Sequence, residues 1–267
     1  MFGGGTIKYL KEIEFPIHNG VTKPVRGKLD DETVAIIKLY NNVQGNLTLV
    51  NEIVCHQIAK TLGLPVVPSG ICIFDDETIN ENSYASSINY GPCFYSTYLE
   101  KATPLKQGII DLILNKKDFY KLLLFDHIVY NKDRNLGNML VTYNKGNIAM
   151  KLIDHSHVFK NETIWDARCF HQGINDLDIM DSDVLLSNEA MYTLFYQTFN
   201  FEPDELYSLI AMFQSKITDD LLQNTVTELP DEWGVSKRDL DALVSYILYR
   251  TDNIKQICDM ICDYRKH

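Results

Sequence analysis

The stretch NKDRNLGNML, residues 131–140, sets Asp133, Arg134, Asn135 and Asn138 between the apolar runs LLLF and MLV. A loop carboxylate can orient a hydroxyl and take its proton. An amide oxygen and a carboxylate side by side can hold a hard divalent cation such as Mg²⁺. KLIDHSHVF supplies that carboxylate, because NMLVTY and IAMKLID read as two strands joined by the turn signal NKGN. A hairpin centred on Gly146 pairs position 138 with position 154, so Asn138 and Asp154 are expected to face each other, with Cβ atoms about 5 Å apart. Asp133 lies on the loop just ahead of them.

The elements that must position these groups are legible around them. DFYKLLLFDHIVYN is a helix whose apolar stripe runs through Phe119, Leu122 and Leu123 to Val129 and Tyr130. Asp126 occupies an apolar slot in that stripe and needs a partner there; Arg134 is the candidate. Upstream, TVAIIKLY is a strand that puts Val34, Ile36, Lys38 and Tyr40 on one face. A lone ammonium in that row also needs a partner. Glu52 follows fourteen residues later, on the amphipathic helix TLVNEIVCHQIAKTLGLP, which Gly63 and Pro65 terminate. Pairing with Glu52 would satisfy Lys38 and aim it at the phosphates of a nucleotide. KEIEFPI, PVRGKL, VVPSGICIF and PCFYSTYLE read as further strands, with a polar loop at 75–90. Each piece alone is weak; their order and spacing together match phosphoryl transfer.

FDHIVYNKDRNLGNMLV followed by LIDHSHVF resembles the HipA-like Ser/Thr kinases. NEIVCHQIAKTLGLPVVPSG resembles their regulatory helix. LPDEWG followed by a final helix with Arg250 inside it resembles the single-domain HipA-like group. The resemblance runs from about residue 15 to the end. It implies an α+β, two-lobed protein-kinase-like fold, with a strand-rich N-lobe over residues 1–100 and a helical C-lobe over 101–267. The activity it implies is transfer of the γ-phosphoryl group of Mg-ATP to a Ser or Thr hydroxyl of a protein. Carried over residue by residue, Asp133 is the catalytic base, Asn138 and Asp154 bind Mg²⁺, Lys38 contacts the ATP phosphates and Glu52 anchors Lys38. The hinge offering backbone groups to adenine falls at Tyr98, Leu99 and Glu100.

The chain departs from the general kinase pattern in four places. It has no GxGxxG; GGGT at residues 3–6 precedes the first strand and reads as a flexible end. The loop available to cover phosphates is HNGVTK, with Gly20, and Thr22 is its only hydroxyl and the candidate for autophosphorylation. Asp154 is followed by His155 and Ser156 rather than Phe-Gly. HipA toxins carry an extra N-terminal subdomain for which this chain has no room, which bears on toxin behaviour and on docking of an antitoxin or regulator protein. His155 and His157 beside Asp154 read as local hydrogen-bonding groups, because no third zinc ligand is in sight.

The 267 residues give roughly 1.8 domains by length. A formal net charge of −11 argues against a chain whose task is gripping nucleic acid. No run reaches the ~18 apolar residues of a membrane span, and MFGGGTIKYL does not read as a secretory signal. The six cysteines, none in CxxC, fit free thiols in a reducing cytoplasm. The final segment from Ser236 reads as one long packing helix, with Ser236 and Asp239 at capping-box spacing. Two rival functions share the motif set: a kinase of a small-molecule or lipid hydroxyl, and a nucleotide-binding regulator without turnover.

Overall fold

In the computed structural model of the chain, residues 7–18, 20–198 and 200–265 are described. The GGGT stretch lies outside them. Strands come first: β1 (Lys8–Pro16), β2 (Val25–Leu29), β3 (Val34–Lys38), then helix α1 (Leu47–Thr61), β4 (Ser69–Phe74) and β5 (Gly91–Thr97). The five close into a barrel in the order β1-β2-β3-β5-β4. Its seam is the parallel pairing of β1 with β4, Lys8 to Cys72 and Tyr9 to Ile73. β1 carries two register shifts against β2, between Leu10 and Glu12 and between Ile13 and Phe15, of the kind that bends a strand.

Period-2 alternation sorts β3. Ala35 and Ile37 are fully buried in the barrel's own core, with Leu10, Val25, Leu29 and Cys72. Ile36 and Lys38 face the other way, into a cavity beneath the sheet. α1 is not part of the barrel core. Its residues from Thr48 to His56 are all buried, because the helix packs on β4 and β5 on one side and on later helices on the other. Gly63, at φ 70°, ends it, and the Leu64 N–H donates to Ala59 O at 2.9 Å.

The remainder is mostly helical: β6 (Ala102–Pro104), α2 (Asp118–Ile128), the hairpin β7 (Met139–Asn144) and β8 (Asn147–Leu152), then α3 (Ala167–Asn175), α4 (Asp183–Thr198), α5 (Pro203–Tyr207), α6 (Ile210–Lys216), α7 (Asp219–Thr227), α8 (Lys237–Asp252) and α9 (Ile254–Tyr264). β6, β7 and β8 form a small second sheet. The second hydrophobic core unites α1 with these helices. Trp233, in the one-turn segment Asp231–Trp233, donates its indole N–H to Pro92 O at 2.8 Å, tying the helical part to β5. Among the described residues no helix is long and apolar enough to cross a membrane.

Two sequence expectations are corrected here. The final segment is two helices, not one: α8 ends at Asp252 and is capped by Asn253, whose side chain donates to Tyr249 O at 2.8 Å beside its own backbone N–H at 3.2 Å. The apolar period runs through this break, which is why it reads as continuous. The hairpin register also differs by one residue. Lys145 and Gly146, at φ 48° and 84°, make a two-residue turn that pairs Asn144 with Asn147. Asn138 therefore faces Ile153, whose N–H donates to Asn138 O at 3.1 Å, and Asp154 lies one position beyond.

Candidate active site

A strict one-residue slip would turn Asp154 to the wrong face of the hairpin. Its backbone corrects this. Asp154 sits at φ 56°, outside the strand region, and its carboxylate meets Lys38. Lys38 Nζ donates to Glu52 Oε1 at 2.5 Å and to Asp154 Oδ1 at 2.7 Å, and lies 3.2 Å from the Ser156 hydroxyl. So β3, α1 and the end of the hairpin each bring one charged group to a single point. Lys38 and Glu52 are buried; the Asp154 side chain is about a third exposed.

Electrostatics follow from that geometry. Burial alone would lower the Lys38 pKa, but the two carboxylates outweigh it and hold the ammonium charged. Burial likewise opposes ionisation of Asp154; the Lys38 charge and hydrogen bonds from Lys38 and Ser156 overcome it and hold this carboxyl well below its usual range. Glu52, the deepest of the three, is pushed up by burial, which Lys38 offsets only in part. His155 is buried 3.8 Å from Glu52 Oε2, and burial followed by the Arg134 charge keeps its ring neutral. Its neighbour His157 engages the Ser156 hydroxyl at 3.3 Å.

The three charged groups mark the polar end of a cavity of about 250 Å³. The rest of its lining is largely apolar, including Ile36, Val67, Leu99, Ala102, Leu140 and Leu152. That division suits a ligand with a flat apolar body and a charged tail. Gly20, at φ 134°, and Thr22 line the same cavity. Thr22 is only 3% exposed, so its hydroxyl is turned away from bulk water. Tyr98 and Leu99 also line it; Glu100 is exposed and stands outside the lining.

Asp133 and Asn138 are not cavity-lining residues. They sit at the mouth of the hairpin, tied to each other. Asn138 Nδ2 donates to Asp133 O at 2.7 Å and to Asp133 Oδ2 at 3.1 Å. Asn135 Nδ2 donates to Asp133 Oδ1 at 3.1 Å. Asp133 itself is exposed. Both donors of the Asn138 amide are thus engaged, leaving Oδ1 as its remaining polar atom. On Asp154, Oδ1 takes Lys38 and Ser156, leaving Oδ2. An amide oxygen and a carboxylate oxygen without other duties are a donor set that fits a hard divalent cation.

Arg134 fastens this loop to the hairpin. It is fully buried against Asp126, with Nη2 to Oδ1 at 2.9 Å and Nε to Oδ2 at 3.2 Å. Its Nη1 donates to Asn138 O and Ile153 O, both at 3.4 Å, spanning the open end of β7 and β8. Tyr192 and Asn131 complete the Asp126 shell. Three contributors are not singled out by sequence reasoning: Ser156, Asn51 and Asn188. Asn51, on α1, donates to Ser156 O at 2.7 Å and to Glu162 O at 3.0 Å, and accepts from Trp165 Nε1. It couples the helix carrying Glu52 to the segment after Asp154. A polar residue inside an apolar helical run is the signal that could find Asn51 and Asn188.

Residues 10–185 match the model of a family described as HipA-like kinase. No curated protein matches the chain. Among solved structures, that of the Helicobacter pylori proinflammatory kinase CtkA is similar with a TM-score of 0.60 at 11% identity, covering 94% of this chain and 95% of that one. A Golgi casein kinase with Mn/ADP bound is similar with a TM-score of 0.52 at 9% identity, covering 94% and 74% respectively. At such identities the likeness is one of fold.

Proposed function

The chain belongs to the HipA-like kinase family, and from that premise we propose that it transfers the γ-phosphoryl group of Mg-ATP to a Ser or Thr hydroxyl of a protein. The observation that carries this reading is Lys38, held by Glu52 and Asp154 at the charged end of an otherwise apolar cavity. Adenine occupies the apolar end, with Tyr98 and Leu99 as the hinge and the Gly20 loop above the phosphates. Lys38 binds the phosphates, and Glu52 keeps Lys38 charged and aimed. Asn138 and Asp154 hold Mg²⁺, which when bound neutralises charge on the phosphoryl oxygens. Asp133 orients the acceptor hydroxyl and takes its proton as the new P–O bond forms and ADP leaves. The chain's contribution is placement and fixed charge.

The partner is a protein substrate, with an antitoxin or regulator protein as a second candidate. All six cysteines are unpaired, which suits a cytoplasmic setting. The test is incubation with γ-labelled ATP and Mg²⁺ beside Asp133→Ala, with mass spectrometry of the label site and with protein and small-molecule acceptors offered in parallel. Label on protein hydroxyls with the wild type and none with the variant supports the reading. A label at Thr22 identifies self-modification. Label on small molecules alone moves the substrate class. No label together with no ATP-induced rise in melting temperature overturns the kinase reading.

A further inference from the structure

Of the side chains bonded to the backbone of the Asp133 loop between Asn131 and Arg134, Asn188 alone comes from outside residues 131–138, among the described residues. It stands on α4, just beyond the residues that the family model matches. Its Oδ1 accepts the Arg134 N–H at 2.8 Å, and its Nδ2 donates to Asn131 O at 2.7 Å. One amide therefore grips the chain on both sides of Lys132 and Asp133. Its second N–H goes to the Tyr192 hydroxyl at 3.1 Å, and that hydroxyl donates to Asp126. Asn188 is 1% exposed, so water cannot replace these bonds.

The loop's other bonds are local. Asn131 Oδ1 accepts the Asp133 N–H at 2.9 Å, and Asn138 and Asn135 donate to Asp133 O. The Asn131 N–H also donates to Asp126 O on α2 at 2.7 Å, and Asn138 is joined to Ile153, so these bonds hold the two ends of the loop to α2 and to the hairpin; none reaches α4. Arg134 reaches out only by its side chain. The bracket from Asn188 ties the backbone on both sides of Asp133 to α4. We infer that Asn188 is a positioning residue for Asp133. The inference rests on the kinase reading, because only there does the place of Asp133 set a rate.

The test compares wild type, Asn188→Leu and Asn188→Asp by two readouts. Leu is similar in volume and removes every bond. Asp keeps an acceptor for the Arg134 N–H but turns a carboxylate oxygen toward Asn131 O. In Asn188→Leu the Arg134 amide hydrogen is expected to exchange at least about tenfold faster, with barrel amides unchanged. Its kcat is expected to fall roughly 10²-fold, with KM for ATP within about twofold. In Asn188→Asp the Arg134 amide stays protected while kcat falls by a smaller factor. In folded Asn188→Leu, unchanged Arg134 exchange or a kcat within about twofold of wild type overturns the inference. So does a KM that rises in step with the fall in kcat. If Asn188→Leu does not fold, Asn188→Asp decides by its kinetics alone: a fall in kcat with KM for ATP within about twofold supports the inference, and a kcat equal to wild type or a KM that rises in step overturns it. If the wild type transfers no phosphate while the exchange result holds, the kinase reading falls and the anchoring of the loop stands.

Discussion

The Asp126–Arg134 pair permits a prediction that separates stability from turnover. Both side chains are 0% exposed, so neither charge is screened by water. Asp126→Asn keeps the shape of the side chain and removes its charge. The guanidinium is then buried without a counter-ion, and breaking a buried pair on one side costs about 3–5 kcal/mol. For a chain of this length each kcal/mol shifts the melting temperature by roughly 2–4 °C, so a fall of about 6–20 °C is expected. The double variant Asp126→Leu/Arg134→Met removes both charges together. Buried pairs replaced by apolar residues often lose little or no stability, so its melting temperature should recover most of the way toward wild type. Its activity should not. Arg134 also holds Asn138 O and Ile153 O, and Met cannot replace those two bonds. Thermal melts followed by circular dichroism, with phosphoryl transfer assayed on the same samples, give both quantities. A single variant that costs less than about 1 kcal/mol, or a double as unstable as the sum of its singles, would refute the reasoning.

Lys38→Met should lower transfer by about 10²-fold or more while leaving the chain folded, and transfer within tenfold of wild type would exclude Lys38 from the phosphate site. Acid should destabilise the chain through His56, whose burial, and then the Lys60 charge, bring its pKa down to about 4, and through His127, brought down to about 3 chiefly by burial. Both rings are neutral when folded and take protons at about pH 6.5 when unfolded, so their contribution is complete above that pH and is lost as pH falls toward 4 and then 3. For His56 this is worth about 3 kcal/mol; a melting temperature flat from pH 7 to 4.5, or unchanged in slope by His56→Gln, would count against it. Gly27→Ala should cost about 1–3 kcal/mol, because a Cβ there would stand 2.5 Å from Glu12 O where β1 crosses β2; an unshifted urea midpoint would show that β1 yields.

What the sequence shows, it shows through local misfits. Asp126 and Lys38 each stand in an apolar row, and each found the partner its charge requires: Arg134 for one, Glu52 for the other. Asn188 carries the same signal, set between Val184 and Leu185 on one side and Met191 and Tyr192 on the other. The hairpin was legible but not its register, because two positive-φ residues make the turn and a pattern centred on one glycine misplaces the pairing by one. The closed barrel was not legible. Its seam joins residues 8 and 9 to 72 and 73, and pairing at that separation leaves no mark in either short segment.

A sheet closed on itself has no outer strand with an unpaired row of N–H and C=O groups. The barrel that carries Lys38 is closed through β1 and β4. An extended peptide therefore cannot be captured there by strand addition, and two copies cannot stack through it into a fibre. In the short sheet of β6, β7 and β8 the outer edge of β8 is covered as well: Ile148 O accepts the Leu114 N–H at 2.9 Å, Met150 bonds the Asn115 side chain and the Leu152 N–H donates to Pro65 O at 3.0 Å. Among the described residues the edge left in that sheet is therefore the three-residue β6, which contains Pro104. A segment that binds that sheet by backbone pairing would have to arrive on β6, and a partner that docks on the barrel must read it through its side chains.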